Sequence, residues 1–370
     1  MQISYKINNN NHSVIFCKNK DESYYIKNKL KAENTDKKIL VIFDSRLKKF
    51  NLRLSTGLKN KSSSIHYLKL NSSKKNKNEK LLFKILDTLI KYKFTKKSVI
   101  ISCGGGVIGD ISALASSLYL RGLIYYHIPT TMTSIVDSCI GGKTGINYKN
   151  IINSVGNYYH PKNVFISKNI IKFMPRREFF SGLPEVIKCG IINNKQIINL
   201  LESNTSKYFL RDYNFLSKLI FKTLKTKIKY FKDDIYENKK RLNLNFGHTF
   251  AHAIEMVIKS KKEDIIRHGE AVGIGMLCEI FYSEGKSKKF IFLSNLLKKY
   301  NLPTNINNFK KNSKNVKIKN EIYKNIFLDK KRINQFPRYI KVLNYGNSKV
   351  EEMRSNKRIK ETIEKVILFK

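Results

Sequence analysis

Three of the chain's seven histidines, His248, His252 and His268, fall within 21 positions. His248 and His252 stand four apart in Asn245-Phe246-Gly247-His248-Thr249-Phe250-Ala251-His252, a spacing that puts both on one helical face. His268 opens His268-Gly269-Glu270. Imidazoles joined by a carboxylate suit zinc, with one coordination position open for a substrate oxygen. Thr249 follows His248, so the zinc-protease pattern, which needs Glu there, fails. Spacing alone leaves a metal centre open against core or capping histidines. Glu185 lies one helical turn before Lys188 in Leu183-Pro184-Glu185-Val186-Ile187-Lys188. The two form either a surface ion pair or a ligand beside a substrate-facing lysine.

Two glycine-rich stretches could hold phosphate. Gly104-Gly105-Gly106-Val107-Ile108-Gly109 has the Gly-x-Gly-x-x-Gly spacing between a strand and a helix, where bare backbone lets a pyrophosphate reach the helix start. The acid expected about 20 residues later is missing, and a plain tight turn stays open. Asp110 caps a helix start but repels phosphate, which points it toward a ring. The second stretch begins with Pro129-Thr130-Thr131 and runs through Asp137-Ser138 to Gly141-Gly142-Lys143-Thr144-Gly145. Asp137 takes the place of the first P-loop glycine, so a nucleotide triphosphatase is not expected. Lys143 is a point charge for a phosphate or carboxylate, or one more solvated lysine.

These residues need elements to hold them. Lys38–Asp44, Ser98–Ser102 and Leu123–Ile128 read as strands, and Leu81–Tyr92 and Asp110–Leu120 as helices. Such alternation predicts a largely parallel sheet with ligands at the strand carboxyl ends. Beyond a boundary near Pro161 to Pro175, helical periods appear near Leu183–Ile192, Phe215–Asp233, Thr249–Ile258 and Glu270–Ser283, with a returning strand at Arg338–Leu343.

The formal net charge of +44 raises the question of nucleic acid. The lysines, however, are spread along the chain among Asn and Ile, all encoded by A/T-rich codons, and no basic motif interleaved with aromatics stands out. No specific nucleic-acid partner is expected. No apolar stretch approaches the roughly 20 residues of a membrane span, and Met1–Phe16 lacks the apolar core of a signal peptide. Five scattered cysteines, none in Cys-x-x-Cys, suit a reducing, cytoplasmic setting.

Taken together, the Gly104–Asn147 and Glu185–Glu270 segments resemble the 3-dehydroquinate synthase family, with matching stretches in order from about Lys38 to about Lys331. The resemblance implies an α/β fold, with a Rossmann-like NAD-binding domain at residues 1–170 and a mostly α-helical metal- and substrate-binding domain at 171–370. It further implies tightly held NAD, one zinc (or cobalt in its place) and a homodimer. The implied activity is that of a lyase in aromatic amino acid biosynthesis, which turns 3-deoxy-D-arabino-heptulosonate 7-phosphate into 3-dehydroquinate and phosphate.

By motif position, the resemblance makes Glu185, His248 and His268 the metal ligands. It places Asp137, Lys143, Asn153, Lys188, Lys227, Arg241, Asn245 and His252 around the substrate, and Lys143 also serves the cofactor side. Asp44, Gly105, Gly106, Asp110, Thr130 and Thr131 fall on the cofactor side. Arg121 matches an arginine that reaches the neighbouring subunit's substrate phosphate, and a lysine of Asp329-Lys330-Lys331 matches a substrate position. Two departures imply weaker cofactor or phosphate binding. Ser73-Lys74-Lys75-Asn76-Lys77 replaces Gly-Glu-x-x-Lys, and Ile151-Ile152 replaces the Gly-Lys before Asn153. A cyclase acting on another sugar phosphate, or a metal-dependent polyol dehydrogenase of the same architecture, remains an alternative. Lys227, Arg241, Asn245 and His252 together favour the synthase, because such relatives should differ at substrate-facing positions.

Overall fold

Fully buried apolar runs build the sheet. Ile39 to Phe43 and Val99 to Cys103 are almost wholly out of solvent, as strands covered on both faces must be. The computed structural model describes residues 1–18, 20–33, 38–58, 64–73, 76–149, 151–204, 212–258, 265–309, 315–327 and 336–369. Two compact units emerge, Met1–Pro175 and Arg176–Lys370.

In the first unit, β1 (Gln2–Ile7), β2 (Asn10–Cys17), β3 (Lys38–Asp44), β4 (Ser64–Leu70), β5 (Val99–Gly104), β6 (Ile124–Pro129) and β9 (Asn163–Ser167) form one sheet. Its order is β1-β2-β9-β6-β5-β3-β4. Only the β1–β2 pair is antiparallel. The chain moves outward from β3 to β4, returns to β5 beside β3, and then continues the other way through β6. The crevice between the carboxyl ends of β3 and β5 is therefore the topological switch point, where ligands of open α/β sheets bind. A separate hairpin pairs β7 (Ile146–Tyr148) with β8 (Ile151–Val155).

The helices Glu79–Lys91 and Gly106–Leu118 pack Leu82, Ile85, Leu89, Ile108, Ile111 and Leu114 against Leu40, Ile42 and Ile100 of the sheet. Burying each such side chain contributes about 1.5–3 kcal/mol, which holds the two strand ends rigidly together. The second helix starts at Gly106, four residues before its expected start, so Asp110 lies in its second turn.

The second unit is mainly helical. Helices at Leu183–Asn193, Tyr213–Phe231, His248–Val257 and His268–Glu284 match the four periodic stretches. The Arg338–Asn344 strand pairs with Asn347–Glu352. No helix among the described residues is long and apolar enough to cross a membrane.

Candidate active site

At the switch point, β5 ends in Gly104 and Gly105 caps the Gly106–Leu118 helix. A Cβ on Gly105 would lie 2.8 Å from Thr131 Cγ2, and one on Gly109 would lie 3.1 Å from the His127 ring. Close approach explains both glycines and leaves bare amides at the helix start, an anion-binding arrangement. Burial, only partly offset by the Ser102 backbone, pushes His127 down to about 4 and keeps it a neutral prop under the turn, its Nδ1 2.7 Å from the Ser102 hydroxyl. Thr130 donates its amide to Gly104 O at 3.0 Å, and Thr131 Oγ1 accepts from Ser134 N at 3.2 Å.

An acid on an earlier strand lies beside the glycine run. Asp44 ends β3, which is hydrogen-bonded to β5, and it is buried. Burial opposes its ionisation, but the Arg46 side chain, the Ser72 hydroxyl and the Arg46 amide outweigh that and hold the carboxyl below the usual range. Asp110 pairs with Lys77 Nζ at 2.5 Å, and the same ammonium donates to Asn153 Oδ1 at 2.6 Å. Lys77 is buried and its carbonyl accepts from Asn147 N at 2.7 Å. Through it, the Gly106–Leu118 helix and the β7–β8 hairpin share one cation. Lys77 is the one charged residue kept from the Gly-Glu-x-x-Lys pattern. Lys74, Lys330 and Lys331 lie outside the described residues.

Asp137 sits half-buried in a single π-turn, Ser134–Ser138, a conformation frequent at functional sites. Lys143 is exposed and follows Gly141 and Gly142, whose φ values are 93° and 69°. Ile151 and Ile152 are about half exposed on β8, where the family pattern has Gly-Lys. Leu120 and Arg121 take φ of 49° and 61° in succession, strain of about 1–3 kcal/mol per residue that persists where the surroundings demand it. Arg121 is exposed.

In the second unit, glycines bring three chain segments to one point. A Cβ on Gly275 would collide with the Gly247 carbonyl, and one on Gly269 with the Ser181 carbonyl just before the Leu183–Asn193 helix. Gly247 itself has φ 84° and precedes His248. As a result His248, His268 and Glu185 converge, their ligand atoms all within 4.8 Å of one another. Glu185 Oε1 is 3.8 Å from His248 Nε2 and 3.5 Å from His268 Nε2.

The opposite ring nitrogens are already engaged. His248 Nδ1 is 3.2 Å from the Phe246 carbonyl, and His268 Nδ1 is 3.0 Å from Glu255 Oε2. Each acceptor fixes an Nδ1–H and turns Nε2 toward Glu185, the orientation metal-binding histidines adopt. Burial pulls the His268 pKa down, but Glu255 and Glu185 together push it up to about 10. The pocket thus favours a cation, which a divalent metal supplies by replacing the proton. Glu185, His248 and His268 could hold one such ion. Glu270 is engaged elsewhere. It accepts from the Arg267 amide at the helix start and from Arg177 Nε, both at 2.9 Å.

The sequence reading missed Glu255, although its place three residues after His252 puts it on the same helical face. His252 is half-buried, its ring 5.5 Å from that of His248. Lys188 is buried in an ion pair with Glu185. Lys227 and Arg241 are buried as well. Asp234 takes the amides of Asn238, Lys239 and Arg241 at 2.8–2.9 Å and so shapes the loop that carries Arg241. Asn245 Nδ2 donates to Glu237 at 2.8 Å.

A sheet with ligand groups at its switch point and a helical unit carrying a Glu–His–His cluster together describe a two-unit α/β enzyme. Residues 67–181 match the family description "3-dehydroquinate synthase N-terminal" and residues 182–332 match "3-dehydroquinate synthase C-terminal". The 3-dehydroquinate synthase of Prochlorococcus marinus (strain MIT 9312) is 37% identical over 278 residues, 73% of this chain and 76% of its own length. That of Clostridium tetani is 38% identical over 262 residues, 66% of this chain and 69% of its own length. The chain belongs to the 3-dehydroquinate synthase family.

Among solved structures, a 2-deoxy-scyllo-inosose synthase complexed with carbaglucose-6-phosphate, NAD+ and Co2+ superposes with a TM-score of 0.85 at 22% identity, covering 99% of this chain and 100% of that one. The 2-epi-5-epi-valiolone synthase of Streptomyces hygroscopicus subsp. jinggangensis, with NAD+ and Zn2+ bound, gives 0.80 at 18% identity and covers 95% of each chain. At these identities the likeness is one of fold.

Proposed function

We propose that the chain is a 3-dehydroquinate synthase, a carbon–oxygen lyase that turns 3-deoxy-D-arabino-heptulosonate 7-phosphate into 3-dehydroquinate and phosphate with bound NAD and one divalent metal. The observation that carries this beyond family membership is the set of three buried cations, Lys188, Lys227 and Arg241, in the unit that also holds the Glu185–His248–His268 cluster. A substrate bearing both a carboxylate and a phosphate calls for such positive charge.

When bound, NAD supplies a transient oxidation of one substrate hydroxyl and the metal supplies Lewis acidity at that oxygen. Lys188, Lys227 and Arg241 bind the carboxylate and hydroxyls, while Asn245 and His252 orient them. Lys143, Asn153 and Arg121 of the partner subunit hold the phosphate, and Asp137 faces the substrate. Asp44, Gly105, Gly106, Asp110, Thr130 and Thr131 serve the dinucleotide. The phosphate leaves with the electron pair of its carbon–oxygen bond as the neighbouring carbon gives up its proton to a departing phosphate oxygen. Ring opening and an intramolecular aldol then need only positioning. The enzyme acts as a homodimer in the cytoplasm; its five buried, unbridged cysteines agree with a reducing setting.

Substrate competition tests the reading. The heptulosonate phosphate should release phosphate rapidly, and glucose 6-phosphate, which lacks the carboxylate, should not. The opposite preference would indicate a different sugar-phosphate cyclase.

Two variants probe the supporting residues. Glu255→Gln keeps the shape but loses the charge on His268, so zinc affinity in chelator competition should fall about 10- to 100-fold. Unchanged affinity would make Glu255 a bystander. Arg121→Ala should be strongly impaired alone, yet regain activity when mixed and reassembled with the impaired Lys188→Ala chain, because one composite site becomes whole. If mixing restores nothing, the residue does not act across subunits.

A further inference from the structure

Tyr159 touches both turns that carry phosphate-holding cations. Its amide donates to Gly142 O at 2.7 Å, one residue before Lys143. Its hydroxyl donates to Leu123 O at 2.5 Å, two residues after Arg121. Beside the first contact, Lys143 pairs with Tyr158 in an isolated antiparallel bridge, and Thr144 N donates to Asn157 O at 3.0 Å. The turn of Lys143, in which Gly142 has φ 69°, therefore rests on the segment that ends in Tyr159.

The second contact falls where the backbone is strained. Leu120, Arg121 and Gly122 take φ of 49°, 61° and 127° in succession, and such a run persists only where its surroundings hold it. On one side, Gly122 N donates to Tyr119 O at 3.0 Å and Leu123 N to Ser116 O at 2.8 Å. Tyr159 supplies the other side. A Cβ on Gly122 would lie 3.3 Å from its hydroxyl, and its ring packs against the buried core that includes Leu114 and Leu123. Burial raises its pKa, so the phenol stays a donor at neutral pH.

We propose that Tyr159 is a positioning residue that couples the phosphate grips of the two subunits. Its amide anchors the turn of Lys143 in its own site, and its hydroxyl fixes the turn from which Arg121 reaches the partner's site. The proposal rests on the reading that Lys143 and Arg121 of the partner subunit hold the substrate phosphate. A guanidinium fork grips phosphate only at a set angle, and a turn released from Tyr159 no longer sets it. Loss of the hydroxyl should then act on the partner's site rather than on its own.

Tyr159→Phe keeps the ring and the amide contact and removes the hydroxyl bond alone. In the dimeric holoenzyme, inhibition by inorganic phosphate should weaken roughly three- to tenfold, the worth of one hydrogen bond. Metal content and NAD affinity should not change. Tyr300→Phe, which removes a buried phenol bond to Leu201 O at 2.6 Å, should lower the melting temperature and leave phosphate inhibition alone. Equal weakening by the two changes would mean general loosening and overturn the proposal.

Heterodimers isolated through two affinity tags test the direction. A Tyr159→Phe chain paired with a Lys188→Ala chain keeps one whole site. A chain bearing both changes, paired with an unaltered chain, keeps none. At limiting substrate the first pair should be the more active, again by roughly three- to tenfold. Equal activities, or the reverse order, would confine Tyr159 to its own site and overturn the coupling. If Tyr159→Phe leaves phosphate inhibition intact while Arg121→Ala weakens it, the proposal fails and the reading of the site stands. If Arg121→Ala does not weaken it either, that reading fails, and the proposal with it.

Discussion

His268→Ala is expected to abolish stoichiometric metal uptake and to reduce turnover by at least about a hundredfold. Loss of a residue that merely supports a metal ligand costs 10- to 100-fold, so loss of a ligand sets a higher floor. The fold should survive, because His268 begins a helix whose start is capped by Glu270 and tied to Arg177. Removing the imidazole leaves Glu185 and His248 as a two-point site facing Lys188, too poor in ligands to hold zinc against water. Metal analysis of the purified variant beside a thermal melt checks this. A variant with normal metal content would move the centre elsewhere.

The Lys188→Ala variant should separate metal from chemistry. Lys188 and Glu185 form an ion pair with side-chain exposures of 2% and 1%. Removing the lysine takes away a charge-assisted substrate contact worth about 1.5–3 kcal/mol, or one to two decades in kcal-equivalent rate terms for kcat/KM. Metal should remain bound, because Glu185, His248 and His268 are untouched. In the metal-free protein the same change takes from buried Glu185 its closest cation and leaves it facing His248 and His268, which is destabilising. The variant should therefore melt well below the unaltered protein when stripped, and much of the gap should close when metal is added. Unchanged kcat/KM would return Lys188 to a structural role.

Legibility in the sequence followed burial. β3 and β5 were plain because both their faces are covered, so they read as unbroken apolar runs. The β1–β2 hairpin went unread. Its alternation of Ile3, Tyr5 and Ile7 is diluted by exposed polar residues, and its turn rests on Asn8 and Asn9 at positive φ. The Gly106–Leu118 helix began earlier than expected because glycine is a poor helix former, and close packing, not propensity, placed it there.

In the site, the histidine spacing was visible, whereas the convergence with Glu185 was reached through the family resemblance and not from spacing. It depends on Gly247, Gly269 and Gly275 letting backbones touch across segments far apart in sequence. Spacing pointed to an acid downstream of the glycine turn, and only the resemblance named Asp44, which sheet order brings beside β5. Lys77 joins Asp110 and Asn153 through a contact that no local pattern encodes.

The most direct measurement is the balance of products. Given the heptulosonate phosphate, metal and a catalytic amount of NAD, the enzyme should form phosphate and 3-dehydroquinate in equal amounts, with no net accumulation of NADH. Chelation should stop both products together. NADH accumulating in step with substrate consumption, without release of phosphate, would contradict the account and make the protein a metal-dependent polyol dehydrogenase.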